Sequence, residues 1–423
     1  MLVIPPRVPV IIRTTLRTLT VWLFVATSST YGADTATSLC DISRTALQEA
    51  SSIRGLVTKQ DVPCAVQDKP QVEAFLHETI AVELPPQKLQ MEEIAYKAIG
   101  LIPESFEYSK ELVAFLVSQI GGYYDPKRKQ FVMAAWLPAT VQRGVAVHEL
   151  THALQDQHFN LRSLLNLKSG TTDTDIAISA LIEGDASAVM FDSERRVLGE
   201  RALKDTPSVD SLVLMQVLGA NVGAQSGEVP DSLKSLLIFP YTSGLRFAHA
   251  LLRAGGYERI TQAYVRLPNS SREVLHPEDY LAGTFTPRSP LPSELPGATS
   301  AYQPEYSDVI GEFGIASLFT GSPATKPNAA ASARGWIGDR VGLFPLKDSK
   351  REVSWLTRWE SDAEAAEFFK AYSAFVEERY ATKLTKGIKD LSSTKSIQIA
   401  QHNNSVTIRL WTTPPVTATA PPH

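Results

Sequence analysis

Apolar and polar positions alternate along this chain in two different rhythms, and the rhythm changes several times. Residues 34–118 spread Ala and Leu among Glu and Lys in several stretches, the composition of amphipathic helices. At Gly121 the pattern shifts. Gly121-Gly122-Tyr123-Tyr124 and Gln130-Phe131-Val132-Met133 read as two strands joined by a turn at Asp125-Pro126. Residues 141–159 contain no proline and carry Val145, Val147, Leu150, Ala153 and Leu154, which predicts a largely buried helix. A second helix, rich in Ala, Ile, Leu and Val, is expected over about 174–198, and further helices over 208–262 around Pro240. Residues 265–308 are rich in Pro, Ser and Gly and read as a long loop region, and 324–334 as an Ala-rich flexible segment. Beyond them a strand is expected from Glu352 to Trp359 and a helix from Asp362 to Tyr380. A strand pair over Ser396 to Trp411 turns at Asn403-Asn404. No internal repeat is present. The fold class is therefore α+β, predominantly helical, with a small β-hairpin ahead of the central helix and a C-terminal strand–helix–strand element. The expected divisions are 1–33, a targeting signal; 34–118, an N-terminal helical region; 119–345, a core; 346–411, a C-terminal α/β element; and 412–423, a Thr/Pro/Ala-rich disordered tail.

The central helix carries the chemistry. Residues 148–152 read His-Glu-Leu-Thr-His. Histidines four apart lie one turn from each other on one helix face, so both imidazoles can reach one metal ion. The glutamate after the first histidine can then reach a water on that metal, which makes this the His-Glu-x-x-His signature of zinc hydrolases. A buried helix holding two histidines and a glutamate is costly unless those groups have partners, and a metal is the simplest one. His148 and His152 are thus expected metal ligands, with one zinc per chain, and Glu149 the general base.

Catalytic zinc usually takes three protein ligands and keeps a fourth position for water. Two residues compete for the third place. His158 stands six residues after His152, the spacing of His-Glu-x-x-His-x-x-Gly-x-x-His, but Gln155 occupies the glycine position. Without that glycine the helix continues and His158 points away. Glu183, in Ala180-Leu181-Ile182-Glu183-Gly184-Asp185-Ala186, falls mid-way along the second helix, where an unpartnered acid would be expensive. Glu183 is the expected ligand and His158 the alternative. Asp185 faces another side of that helix and reads as an acid that supports a ligand rather than being one.

His148 to Ala153 resembles the zinc helix of thermolysin-type gluzincins, including an aspartate four residues after the second histidine, here Asp156. Ser187 stands where those enzymes carry an aspartate that orients a zinc histidine, so Asp185 or Asp156 is left for that role. The chain is also similar to a group of largely uncharacterised secreted bacterial zinc metallopeptidases. The shared blocks are Gly122-Tyr123-Tyr124-Asp125-Pro126, the zinc helix through Asp156-Gln157-His158-Phe159, and Glu183-Gly184-Asp185-Ala186. Pro240-Tyr241-x-x-Gly244-x-x-Phe247, His276-Pro277 and Gly335-Trp336-x-Gly338-Asp339-Arg340 complete them. The resemblance implies a zincin-like core, and a strand before the zinc helix whose edge pairs with an extended substrate backbone.

Composition sets the compartment and excludes some partners. Arg7, Arg13 and Arg17 precede the short apolar run Leu19 to Ala26, followed by small residues with a cleavage site after Gly32 or Ala33, the layout of an export signal. That run is too short for a membrane span, so periplasmic or secreted export is expected, with an N-terminal membrane anchor the alternative. Cys40 and Cys64 are the only cysteines, and in an exported chain they are expected to form one disulfide. Removing residues 1–33, which hold three arginines and no acid, takes the formal charge from −4 to −7, which argues against nucleic acid.

The expected reaction is zinc-assisted hydrolysis of a peptide bond in a peptide or protein substrate. An oxyanion donor besides the metal is needed. Tyr241, a neutral phenol, and His276, in an extended segment before Pro277, are the candidates. Asp339 and Arg340 read as a structural ion pair, with a hold on the substrate terminus the alternative. Two other functions compete: an amidase acting on another amide such as cell-wall peptide, and a non-catalytic binding protein that retains a zinc fold. The presence of His148, Glu149, His152 and Glu183 together speaks against the last.

Overall fold

The computed structural model describes residues 35–83, 86–108, 111, 121–165, 170–223, 229–299, 302–347 and 350–412. The targeting signal expected over 1–33 lies outside them, as does the tail after Thr412. In chain order the helices are α1 (Thr35–Arg54), α2 (Lys69–Glu83), α3 (Pro86–Ile99), α4 (Ala139–Phe159), α5 (Leu161–Leu165), α6 (Thr172–Val197), α7 (Asp210–Gly223), α8 (Asp231–Ala263), α9 (Ser271–Leu275), α10 (Pro277–Ala282), α11 (Gly311–Thr320) and α12 (Asp362–Arg379). The strands are β1 (Cys64–Gln67), β2 (Gly122–Asp125), β3 (Gln130–Ala134), β4 (Tyr306–Asp308), β5 (Trp336–Pro345), β6 (Arg351–Trp359), β7 (Lys389–Ser392), β8 (Lys395–His402) and β9 (Ser405–Thr412). The fold is mixed α+β with two sheets.

The chain divides into two compact units. One comprises residues 1–86, 106–229 and 234–285; the other comprises 87–105, 230–233 and 286–423. The sequence boundary expected between 345 and 346 falls inside the antiparallel β5–β6 hairpin, which pairs Trp336 with Trp359 and Pro345 with Arg351. The glycines of β5, Gly338 and Gly342, dilute its strand pattern in the sequence.

In the first unit, α1, α4 and α6 pack pairwise. Much of what they bury is apolar or small: Val145, Ala146, Leu150 and Ala153 of α4, and Ala177, Ala180, Leu181 and Ala188 of α6. Small side chains let helix axes approach closely. Glu49 of α1 accepts hydrogen bonds from Arg143 at 2.5 and 2.6 Å and from Ser193 at 2.8 Å, so one carboxylate ties all three helices. α6 starts at Thr171, whose side chain accepts from Thr174 N–H, has Asp173 and Asp175 in its first turn, and ends with Arg195 and Arg196. This is the charge order that complements a helix dipole. α4 ends at Asn160, held in the left-handed region at φ 56°.

A three-stranded sheet, order β1-β3-β2, lies in the same unit, with β1 parallel and β2 antiparallel to β3. The β2–β3 hairpin follows the sequence expectation. β1 departs from the helical expectation for 34–118 and becomes a strand by pairing Cys64–Gln67 with Phe131–Ala134. Cys40 and Cys64 form a disulfide that ties β1 to α1. Among the described residues no helix is long and apolar enough to cross a membrane. The loop expected over 265–308 holds more structure than its composition predicts. Pro277 sits at the start of α10, where its fixed φ and missing N–H favour a helix, and β4 ends the segment. α8 runs through Pro240 and breaks only at Gly255-Gly256, where Gly256 takes φ 65°.

The second unit is built on a six-stranded antiparallel sheet, order β4-β5-β6-β9-β8-β7. β8 and β9 turn at Asn403, φ 50°, as the Asn-Asn pair predicted. α12 buries Ala365, Phe368, Tyr372, Phe375 and Val376, a stripe of helical period, and Phe368 stacks on Trp359 at 4.8 Å between ring centroids. Asp339 is fully buried and accepts from Ile310 N–H (3.0 Å), Gly311 N–H (2.9 Å), Trp336 Nε1 (3.0 Å) and Trp355 Nε1 (2.9 Å). The expected Asp339–Arg340 ion pair is not what this carboxylate makes. Neighbouring strand residues face opposite sides, and Arg340 Nε instead donates to Pro290 O. The segment expected to be flexible over 324–334 forms two 3-10 turns, Lys326–Asn328 and Ala331–Ala333, and buries Ala333 against the unit.

Candidate metal centre

α4 and α6 cross so that three side chains converge. His148 Nε2 lies 3.1 Å from Glu183 Oε2 and 3.1 Å from His152 Nε2, and His152 Nε2 lies 3.4 Å from Glu183 Oε2. Ligands at about 2.0–2.1 Å from a shared tetrahedral ion stand roughly 3.3–3.4 Å apart. The three donor atoms therefore outline one face of such a tetrahedron. Among the described residues this is the one cluster of His, Cys, Asp or Glu with that property. His158, the rival third ligand, lies elsewhere: its Nε2 meets Val57 O at 2.7 Å on the exposed side of α4. Gln155 in place of glycine keeps the helix running to Phe159, which carries His158 away from the cluster.

The site is deeply buried. His148 and His152 are 1% exposed, and Glu149 and Glu183 are 0% exposed. Two of its polar atoms, Glu149 Oε1 and Glu183 Oε1, have no hydrogen-bond partner among the described residues. Leaving a buried carboxylate oxygen unpaired costs about 1–3 kcal/mol or more, so both atoms call for a missing partner. A water beside Glu149, held by a divalent cation on the three converging donor atoms, would give Glu149 Oε1 a partner, and two imidazoles with one carboxylate are a donor set that suits zinc.

Burial and mutual charge set the protonation of the metal-free cluster. Burial alone pushes the Glu183 carboxyl up, but the facing imidazoles outweigh it and hold it down at about 2. Burial likewise pushes His152 down, and Glu183 overturns this and lifts it to about 9. His148 is left lowered, by burial first. Burial raises Glu149 to about 8, with Glu183 adding to the rise, while His152 and the Tyr124 N–H oppose it. A second imidazolium is thus disfavoured next to the first, and Glu149 is poised to carry a proton near neutrality.

Glu149 is aimed by the hairpin. Tyr124 N–H donates to its Oε2 at 2.9 Å. Tyr124 OH donates to Asp156 Oδ2 at 2.9 Å, two turns farther along α4, and Lys129 also bonds Asp156. One tyrosine thereby fixes β2 along α4. Gly122 permits the approach, because a Cβ there would lie 3.0 Å from both Val132 O and Val145 Cγ1. β2 is buried at all four residues, and its outward N–H at Tyr124 is taken by Glu149. The edge expected to pair with substrate is, at that position, already occupied. Asp156 accordingly serves the hairpin and the helix end, where Leu161 N–H donates to its Oδ1 at 3.1 Å.

The helix that carries Glu183 is itself positioned by glycine. A Cβ on Gly184 would lie 2.1 Å from Gly244 O, and one on Gly244 would lie 2.4 Å from Ala180 O. α6 and α8 therefore touch backbone to backbone beside Glu183. Tyr241 stands three residues before Gly244, on that side of α8, and is buried. His276 lies at the junction of α9 and α10 with its ring 29% exposed and Nδ1 3.7 Å from Glu278 Oε1. α9 docks on the first turn of α6 through Ser271 and Asp173, and ten residues separate Asp173 from Glu183, about 15 Å along a helix. Sequence reasoning named Gly184 and Gly244 within blocks but not their role, and missed Gln155, Arg54 and Tyr264 as parts of the site's surroundings. The amide at the glycine position of the His-Glu-x-x-His-x-x-Gly-x-x-His pattern was the available signal for Gln155.

Residues 300–419 match a family described as Domain of unknown function (DUF8575). The match spans β4 to β9 and lies within the second unit, apart from the His148–His152–Glu183 cluster. No curated protein and no solved structure matches this chain.

Proposed function

We propose that this chain is an exported zinc metallopeptidase of the gluzincin kind, hydrolysing peptide bonds with His148, His152 and Glu183 as zinc ligands and Glu149 as general base. The observation that carries this reading is the 3.1–3.4 Å triangle of donor atoms beside a buried glutamate with one unpartnered oxygen. Zinc, when bound, acidifies a water and polarises the scissile carbonyl. Glu149 takes the water's proton on Oε1, the oxygen that Tyr124 leaves free, and delivers it to the leaving amine. A general base of this kind contributes about 10²–10⁴-fold. Tyr241, on the side of α8 that meets α6, is the better supported oxyanion donor. His276, turned toward Glu278, has less support.

The burial of all four residues favours one second reading, a closed structural zinc site in a binding protein, because structural sites exclude solvent while catalytic ones keep an open position. The two readings separate experimentally. Zinc is measured per purified chain for the parent, Glu183→Ala and His158→Ala, and peptide-library cleavage is measured for the parent with Glu149→Gln as blank. The proposal expects one zinc, lost in Glu183→Ala and kept in His158→Ala, and cleavage absent in Glu149→Gln. Zinc without cleavage supports the structural reading. Zinc lost only in His158→Ala, or no zinc even after reconstitution, overturns the proposal.

A further inference from the structure

The side chain behind His152 is Gln155, one turn farther along α4, and its amide orientation is fixed by its neighbours. Gln155 Nε2 lies 3.0 Å from Ile182 O and 3.0 Å from Asp185 Oδ2. Both are acceptors, so this atom is the NH2. The oxygen, Oε1, then faces His152 Nδ1 at 2.8 Å. An amide oxygen only accepts, so Nδ1 carries the hydrogen. In a neutral ring this leaves Nε2 as a bare lone pair, and Nε2 is the atom that meets His148 and Glu183.

Asp185 is held in turn. Arg54 Nε donates to its Oδ1 at 2.6 Å, and Tyr264 OH donates to its Oδ2 at 3.0 Å. Arg54 is anchored by bonds to Tyr257 O (3.3 Å) and Thr261 Oγ1 (3.0 Å), and Tyr264 stacks on Phe159 at 4.0 Å between centroids. Gln155 and Asp185 are 0% exposed and Arg54 is 2% exposed. An ion pair this deep is expensive to desolvate and adds little stability by itself, so its retention asks for another role.

We propose that Gln155 is a positioning residue that locks the tautomer and ring angle of the ligand His152, and that the Asp185–Arg54–Tyr264 network exists to fix the Gln155 amide. The inference rests on the zinc reading above and extends it. It assigns to a neutral amide the part that Ser187 cannot play where thermolysin-like enzymes carry an aspartate. An amide fixes the tautomer while giving less electron density to the ring than a carboxylate would. The negative charge stands one residue back, at Asp185, where Arg54 neutralises it.

The test uses the full mature chain and three readouts: zinc Kd by chelator competition, the visible spectrum of the cobalt-substituted protein, and the exchange-protected Nδ1–H resonance of His152 in the zinc-loaded protein. Gln155→Leu is expected to weaken zinc about 10–100-fold, the usual effect of removing such a partner, and to lose the protected resonance. Tyr264→Phe is a milder change that frees Asp185 in part and is expected to weaken zinc in the same direction. The exchanged pair Gln155→Glu/Asp185→Asn keeps an acceptor on His152 and a donor behind it. It also sets a carboxylate oxygen against Ile182 O, to which Gln155 donates, so it is expected to recover the protected resonance but only part of the zinc affinity, whereas Gln155→Glu alone sets two carboxylates together and is expected to fail. Parent-like zinc affinity and a protected resonance in Gln155→Leu overturn the inference while the zinc reading stands. A parent that binds no zinc removes the premise, which the parent's own titration shows before any variant is made.

Discussion

Gly184→Ala is the sharpest perturbation of this site that touches none of its reacting groups. The added Cβ would stand 2.1 Å from Gly244 O, 2.4 Å from Gly244 C and 3.0 Å from Gly244 Cα. Ordinary contact begins near ~3.4 Å, so α6 and α8 must separate by roughly 1 Å. No rotamer change can relieve the clash, because the opposing atoms are backbone. Overpacking of this kind costs about 1–3 kcal/mol, occasionally more. For a domain of this size that lowers Tm by about 2–4 °C per kcal/mol, hence about 2–12 °C. The larger consequence falls on Glu183, the adjacent residue. A shift of roughly 1 Å, set against donor separations of 3.1–3.4 Å, breaks the triangle, and zinc affinity is expected to fall at least about 10-fold. Gly244→Ala, whose Cβ would meet Ala180 O at 2.4 Å, should act in the same way from the other helix. Differential scanning calorimetry and chelator competition on both variants supply the check. Parental Tm and parental zinc affinity in Gly184→Ala would refute the claim that backbone contact between α6 and α8 sets the position of Glu183.

Three further outcomes are expected. In the metal-free protein, Glu149 raised to about 8 and His152 raised to about 9 each contribute stability that is complete below the unfolded pKa and lost as pH rises through the folded value. Glu183, held at about 2, contributes stability above its unfolded pKa and loses it only in strong acid. His148, lowered by burial, acts with the opposite sign and offsets the loss below its unfolded pKa of about 6.5, so thermal melts should show the metal-free chain weakening between roughly pH 6.5 and 9, and zinc, which needs deprotonated ligands, giving its largest Tm gain at the alkaline end; a flat metal-free profile over that range contradicts this. Asp339→Ala strands four buried donors and should destabilise the second unit by about 3–5 kcal/mol, read as loss of tryptophan near-ultraviolet dichroism. Reducing Cys40–Cys64, which are 24 residues apart, should cost about 3 kcal/mol by loop entropy, measured by urea unfolding with and without reductant; equal midpoints would count against it.

What the sequence determined by itself is local. The His-Glu-x-x-His spacing places two imidazoles on one helix face whatever surrounds them, because one helical turn fixes their separation. The β2–β3 hairpin, the bounds of α4 and α6 within two residues, and the Asn403 turn follow from period and turn chemistry of the same short range. Glu183 was reachable because an acid in a run of Ala, Ile and Leu demands a partner, although its partner lies on another helix. The tertiary structure alone decided the rest. β1 became a strand only by pairing with a segment more than sixty residues away, and β5 joined the second sheet despite its glycines. The roles of Gly184 and Gly244 appear only where two backbones meet, and Asp339 exchanged its sequence neighbour for four donors, of which only Trp336 is near in sequence. Gln155 read as a missing glycine and emerged as the amide that holds His152, because its meaning depends on Asp185, Arg54 and Tyr264, which period and propensity cannot bring together. Spacing along a helix is set by covalent geometry, whereas contacts between helices are set by which surfaces exclude water together, and that depends on the whole chain at once.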